Sequence, residues 1–344
     1  MERLLEEIKG ICADAAPDRI FVITDSNVAR IADALIAGIG AEETMVIPAG
    51  EEHKTLGEVE RVTSVLGERG ATRRSLLICI GGGMVTDLGG FAAAIFKRGI
   101  RHINVATTLL GAVDASVGGK TGVDFRGLKN ELGAFHMPLG VLACVDLFGS
   151  LPPVELLSGF GEVVKTALLS DAGMTGRVLA SDPAEVSGEF LDEVCRFCRD
   201  VKERIVSADP TEKGLRKVLN LGHTAGHAFE SLMIGRGTPV AHGVAVAHGL
   251  LVTLILSNIL RGLPATEVSR YAGWLRRNYP ALPFTCTDYD AIWEIARHDK
   301  KNSGDEATLS FVLLEKLGCP SIDVPVDRRA FEAALDLYQE FQGR

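Results

Sequence analysis

The chain has 344 residues, 47% of them apolar and 24% charged, with a formal net charge of −9. That length exceeds what one hydrophobic core usually fills and predicts two domains. The acid excess excludes a general nucleic-acid binder, which needs surplus Lys and Arg to neutralise phosphates.

The N-terminus, Met1-Glu2-Arg3-Leu4-Leu5-Glu6-Glu7, is a charged amphipathic start and lacks the apolar core of a secretion signal. Short apolar, β-branched runs then alternate with helical patterns. Ile20 to Thr24, Thr44 to Ile47, Leu76 to Ile80 and His102 to Val105 are each flanked by Gly, Pro, Asp or Asn, and predict strands of a parallel sheet. A last such run is Val141 to Asp146. Strands alternating with helices predict a doubly wound, Rossmann-like α/β domain over 1–150, which binds nucleotides at the carboxyl ends of its strands. Beyond Leu151-Pro152-Pro153 helical periodicity dominates, and only Ala307 to Leu314 looks like a strand. Residues 151–344 therefore predict a mainly α-helical domain, with the active site in the cleft between the two. The most apolar stretch, Leu250 to Leu260, is about half of the ~20 residues a membrane span needs and predicts a buried helix. No membrane partner is expected.

Seven cysteines are scattered without framework spacing, which predicts reduced thiols and a cytoplasmic location. Cys195 and Cys198 form a lone C-x-x-C with no second pair, the pattern of packing on a helix rather than a four-ligand zinc site.

Three segments of the first domain suit an anion or a nucleotide. Gly81-Gly82-Gly83 follows a strand directly and leads through Asp87 into a helix. Its backbone N–H groups can cradle a pyrophosphate at a helix N-terminus, although the spacing is not G-x-G-x-x-G. A plain tight turn remains the alternative. Thr107-Thr108 leads through Asp114 into Ser116-Val-Gly-Gly-Lys120-Thr-Gly122, a loop of hydroxyls, glycines and a lysine. Pro48-Ala-Gly-Glu51-Glu-His-Lys54-Thr55 adds a polar loop suited to a ribose or adenine edge.

In the second domain His223, His227 and Glu230 stand at i, i+4 and i+7, on one helical face. His242 starts another helical run, and Glu162 lies one turn before Lys165 at a helix start. Two histidines and a carboxylate, with one position left open, make a catalytic zinc set. The His-x-x-x-His pair lacks the glutamate of a metalloprotease. Taken singly, each residue equally suits a satisfied buried polar group or a cap, and spacing alone does not bring Glu162 and His242 to His223.

These residues resemble the 3-dehydroquinate synthase family, within the sugar-phosphate cyclases. The likeness runs from about Thr24 to Gly318 through Gly81-Gly-Gly with Asp87 and Arg98-Gly99, and Thr107-Thr108 to Gly122. It continues through Lys129-Asn130 with Phe135, Glu162-Val-Val-Lys165, Gly214-Leu-Arg216, Asn220-Leu-Gly-His223, His242-Gly243 and Asp299-Lys300-Lys301. The resemblance implies conversion of 3-deoxy-D-arabino-heptulosonate 7-phosphate to 3-dehydroquinate and phosphate. NAD would oxidise a ring hydroxyl transiently, phosphate would leave by elimination, the hydride would return, and ring opening with an aldol step would close the carbocycle. It implies zinc or cobalt on Glu162, His223 and His242, acidifying the hydroxyl being oxidised. Lys165, Asp114 and Asn220 would hold the substrate hydroxyls. Lys202 and Arg216 would clamp the carboxylate. Lys120, Asn130, His227 and Lys300, with Lys301 as the alternative to Lys300, would hold the phosphate. Arg98 would reach in from a second subunit of a homodimer. Glu51, Lys54, Gly81, Gly82, Gly83, Asp87, Thr107, Thr108, Lys120 and Lys129 would line the NAD site.

The chain departs from the family pattern at Ala106, Asp124, His136-Met137, Val154, Gly161 and Val244, where the family usually has Pro, Asn, Tyr-Gln, Arg, Ala and Glu. None of these removes an implied ligand or clamp, and together they leave room for an altered substrate preference. Inosose- and valiolone-type cyclases act on sugar phosphates lacking a carboxylate, and the complete Lys202, Arg216, His227 and Lys300 set favours the acid substrate instead. A glycerol-type metal-dependent dehydrogenase would lack the Lys129-Asn130 and Lys165 pattern, and a silent binding homologue would have lost a ligand or clamp.

Overall fold

In the computed structural model, which describes residues 1–298 and 307–343, the predicted strands pair as a parallel sheet. Numbered along the chain, these are β1 (Ile20–Asp25), β2 (Glu43–Ile47), β3 (Leu76–Gly81) and β4 (Arg101–Ala106). The chain then makes an antiparallel hairpin, β5 (Lys120–Phe125) and β6 (Leu128–Phe135), and returns to the sheet as β7 (Val141–Ala143). Sheet order is β2-β1-β3-β4-β7, with all four neighbouring pairs parallel.

Alternation along the strands divides the core in two, because successive side chains point to opposite faces. Phe21, Ile23, Leu77 and Cys79 pack with Val59, Val62 and Leu66 of α4 (Leu56–Glu68) and with Val85, Leu88 and Phe91 of α5 (Gly83–Ile95). On the other face Val22, Leu76, Ile78 and Ile80 meet Leu4 and Ile8 of α1 (Glu2–Ala15). There they also meet Val28 of α2 (Val28–Ile31) and Leu35 and Ile39 of α3 (Asp33–Ile39). Helices on both faces make the sheet doubly wound, as expected. The order reverses between β1 and β3, so the switch point lies beyond Asp25 and Gly81, the crevice where such sheets bind ligands.

Two compact units result, Met1–Leu151 with Gly188–Glu203, and Pro152–Ser187 with Arg204–Arg344. A single division at residue 150 makes no provision for the return of Gly188–Glu203 to the first unit. That segment is most of α8 (Gly188–Ala208), which follows α6 (Pro153–Ser170) and α7 (Ala172–Ala180). The rest of the second unit is α9 (His223–Gly235), α10 (His242–Arg261), α11 (Ala265–Asn278), α12 (Tyr289–Arg297) and α13 (Arg328–Phe341), with the antiparallel pair β8 (Thr308–Lys316) and β9 (Cys319–Asp327). The strand-like run at 307–314 becomes β8, and the mainly helical character holds.

α6 and α10 are core helices. Every residue from Ser158 to Leu169 and from Gly243 to Ser257 is buried, so both are apolar around most of their circumference. Among the described residues α10 alone has the length and composition of a membrane span, yet 83% of its most apolar window is buried inside the structure. It is the helix predicted at Leu250 to Leu260, extended towards the N-terminus.

Candidate active site

The second unit gathers the histidines through glycine. A Cβ on Gly161 of α6 would overlap the Gly243 carbonyl oxygen of α10, and one on Gly243 would overlap the Ser158 carbonyl oxygen. On its other side α10 meets α9 in the same way, since a Cβ on Gly249 would collide with the backbone of Gly222 and Gly226. Only hydrogen at these positions lets three helix backbones lie in contact. Ser158 Oγ, accepting from Gly243 N–H at 3.0 Å, ties the start of α10 to α6. Gly161 is one of the departures from the family pattern, and the helix contact is the physical reason it suits this chain. We expect Gly243→Ala to destabilise the protein by ~1–3 kcal/mol, the usual cost of overpacking, and to weaken metal binding by spreading the ligands. Thermal unfolding and a zinc titration would check both; a variant with wild-type values would refute the packing argument.

This packing sets Glu162, on the buried third turn of α6, against His223 and His242, the first residues of α9 and α10. Glu162 Oε1 lies 3.6 Å from His223 Nε2 and 3.5 Å from His242 Nε2. A tetrahedral zinc with ligands at about 2.1 Å separates adjacent ligand atoms by about 3.4 Å, and each histidine stands close to that spacing from Glu162. His227, one turn after His223, is also near. Ligand atoms of His223, His227 and His242 all fall within 4.8 Å of one another. Lys165, as buried as Glu162, is ion-paired with Glu162 Oε2.

Both histidine rings are oriented from behind. His223 Nδ1–H donates to the Leu221 carbonyl at 3.1 Å, and His242 Nδ1–H donates to Glu230 Oε2 at 2.9 Å. With both Nδ1 atoms engaged, both Nε2 atoms face Glu162. Burial alone would lower the pKa of His242, but hydrogen bonds to Glu162 and Glu230 prevail and raise it to about 9. The N-termini of α9 and α10 add positive potential, which favours anionic oxygen at the site.

The loop before α9 holds two more predicted residues. Asp209 accepts backbone N–H bonds from Lys213, Gly214 and Arg216 at 3.0, 2.7 and 3.0 Å, which depresses its pKa. Arg216 is buried, its Nη1 donating to the Pro210 carbonyl at 2.8 Å. Asn220 Nδ2 donates to Glu212 Oε1 at 3.3 Å, and Glu212 stands at φ +59°. Asp209, Glu212 and Glu230 were not identified as site residues from sequence. Glu230 alone gave a signal, its helical register with His223 and His227.

In the first unit Gly81-Gly82-Gly83 joins β3 to α5 at the switch point. A Cβ on Gly82 would press on Thr108, and one on Gly83 on Ala115, so the turn is open only to backbone. Thr107 N–H donates to the Gly81 carbonyl at 2.9 Å. Asp114 sits on a π-helical turn, Gly111–Ala115, a distortion common at functional sites. Lys202 of α8 donates to both its carbonyl and its Oδ1, each at 2.7 Å. Buried Lys54 donates to Asp87 Oδ2 and to Asn130 Oδ1, both at 2.6 Å, with Glu51 Oε1 at 3.8 Å. Burial raises the Asp87 carboxyl to about 6 against the pull of Lys54. Asn130, expected among the phosphate ligands, is exposed on β6 at φ +52°, its Oδ1 accepting from Lys54. Its backbone N–H is held by Asp124 at 2.8 Å. Lys120, Lys129 and Arg98 are exposed, and Lys97 and Arg98 both have positive φ. Lys300 and Lys301 lie outside the described residues.

Known proteins resemble the chain along nearly its whole length. Residues 44–158 match the family model described as 3-dehydroquinate synthase N-terminal, and 159–302 the one described as 3-dehydroquinate synthase C-terminal. A 3-dehydroquinate synthase of Parabacteroides distasonis is 41% identical over 343 residues, 99% of this chain and 97% of that protein. Among solved structures, 2-deoxy-scyllo-inosose synthase complexed with carbaglucose-6-phosphate, NAD+ and Co2+ superposes with a TM-score of 0.85 at 27% identity, covering 98% of this chain and 94% of that one. The fold is shared too by 2-epi-5-epi-valiolone synthase of Streptomyces hygroscopicus with NAD+ and Zn2+ bound, TM-score 0.76 at 24% identity, covering 94% of this chain and 91% of that one. With both family models matched in order and a relative aligned from end to end, the chain belongs to the 3-dehydroquinate synthase family.

Proposed function

We propose that the protein converts 3-deoxy-D-arabino-heptulosonate 7-phosphate into 3-dehydroquinate and phosphate, the phosphate-eliminating step of the shikimate route to aromatic amino acids. The observation that carries this is the Glu162, His223 and His242 set at 3.5–3.6 Å, with Lys165 against it, in a chain 41% identical to a named synthase.

Glu162, His223 and His242 would hold a zinc or cobalt ion, which as a Lewis acid acidifies a substrate hydroxyl. The switch-point turn, Gly81 to Gly83, with Thr107, Thr108, Asp87, Glu51, Lys54, Lys120 and Lys129, would hold NAD, whose nicotinamide takes up and returns the hydride. Lys165, Asp114 and Asn220 hydrogen-bond the ring hydroxyls and fix the carbon to be oxidised. Arg216 and Lys202 hold the carboxylate, the guanidinium in bidentate fashion. His227, Lys120, Asn130 and Lys300 hold the phosphate. Asn130 donates to the phosphate from Nδ2 while its Oδ1 still accepts from Lys54. Positive φ at both Lys97 and Arg98 is backbone strain of the kind kept at functional sites, and Arg98 would serve a second subunit of a homodimer. Seven cysteines without a disulfide suit a reducing cytoplasm.

The deciding experiment supplies the heptulosonate phosphate with NAD and zinc and follows phosphate release. No release from it, but release from glucose 6-phosphate or sedoheptulose 7-phosphate, would reassign the chain to an inosose- or valiolone-type cyclase. The likeness to the inosose synthase is the observation favouring that second reading.

The nucleotide part has its own test. Asp87 is ionised above about pH 6, where its carboxylate accepts hydrogen bonds from a nucleotide. Protonation removes that acceptor, so NAD affinity should fall as pH drops from 7 to 5. A charged hydrogen bond contributes ~1.5–3 kcal/mol, and with the carboxyl titrating near 6 the expected loss between pH 7 and 5 is about five- to tenfold. Asp87→Asn should bind NAD weakly at both pH values, with a flat profile. A wild-type profile in the variant would remove Asp87 from the site.

A further inference from the structure

We infer that Glu230 is a positioning residue for the metal centre, fixing the ring and proton of His242 so that its Nε2 is delivered to the ion. This rests on the metal assignment proposed above and adds a residue to it.

The two histidine ligands are held differently. His223 is oriented by a main-chain carbonyl, Leu221, which no substitution removes. His242 is oriented by a side chain, Glu230 Oε2 at 2.9 Å. An imidazole placed only by its Cα–Cβ and Cβ–Cγ torsions can flip, or carry its proton on Nε2 and lose the lone pair a metal needs. A carboxylate behind Nδ1 opposes both, and its negative charge makes the ring a stronger donor. Glu230 suits this work. It is 8% exposed on α9, seven residues after His223, so one helix supplies a ligand at its start and the orienting group for a ligand on its neighbour. The close α9–α10 contact at Gly226 and Gly249 keeps that distance short.

The test is zinc affinity of the full-length protein, measured by competition with a chromophoric chelator, with no substrate or NAD present. Partners of this kind typically contribute 10–100-fold in metal affinity. We expect Glu230→Ala to raise the zinc Kd towards 100-fold. Glu230→Gln, which still accepts from Nδ1–H but lacks the charge, should raise it by about tenfold. Circular dichroism melts of the metal-free variants should overlay the wild type. Wild-type protein that binds zinc while both variants bind it within twofold of wild type would overturn the inference and leave the metal site standing. Wild-type protein that fails to bind zinc would overturn the metal site itself. Loss of cooperative unfolding in metal-free Glu230→Gln would make Glu230 a folding residue and overturn the positioning role.

Discussion

A His223→Ala variant is expected to lose tight zinc binding and, with it, about 10³-fold or more in phosphate release. In the proposed site His223 would supply one of three ligand atoms, with those of Glu162 and His242, and two ligands hold a divalent ion poorly. A Lewis acid at a developing oxyanion contributes several kcal/mol, and each 1.4 kcal/mol is tenfold in rate. The residue opens α9 with no capping side chain, so the helix should survive the change. Metal content after dialysis and a phosphate-release assay are the two measurements. Full turnover by the variant in metal-free buffer would remove the metal assignment.

The second large effect is on stability, at Lys165→Met. Lys165 is 1% exposed and pairs with Glu162, which is fully buried. Deleting one member of such a pair leaves a buried charge without its lysine and usually costs ~3–5 kcal/mol. Two positive partners compete for this carboxylate, however. A zinc ion on Glu162, His223 and His242 would neutralise it whether or not Lys165 is present. The metal-free variant should therefore melt well below wild type, and zinc at 100 times its Kd should return ~2.7 kcal/mol by mass action. Melts in chelator and in excess zinc would test this. A metal-free variant as stable as wild type would show that the ion pair carries no stabilising role.

The sheet was legible because each central strand is a solid apolar run bounded by turn residues, as at Leu76 to Gly81. The β5–β6 hairpin was not. β6 is mostly exposed and β5 is short and rich in polar residues and glycine, so neither shows an alternation to detect, and the start of β5 reads as an anion-binding loop. β9 escaped for a related reason, since Pro320 and Pro325 argue against a strand and are tolerated only where the ladder is two strands wide. At the site, spacing placed His223, His227 and Glu230 on one face, because those residues share a helix. The meeting of Glu162 and His242 with that face is set by contacts 61 and 19 residues away in sequence from His223, and only the family resemblance carried it. Asp209 was invisible for a different reason. Its work is to bind main-chain N–H groups, and any acidic residue in a loop looks the same until the loop is folded.

The glycine contacts among α6, α9 and α10 bear on how the protein matures. Helix spacing is set there by main chain resting on main chain, with no packing rotamers between the backbones to rearrange. The site's nitrogen and oxygen donors suit zinc and cobalt alike, since the affinities of such ions for these donors follow one general order. Occupancy by zinc or cobalt then follows the supply and trafficking of metals in the cell.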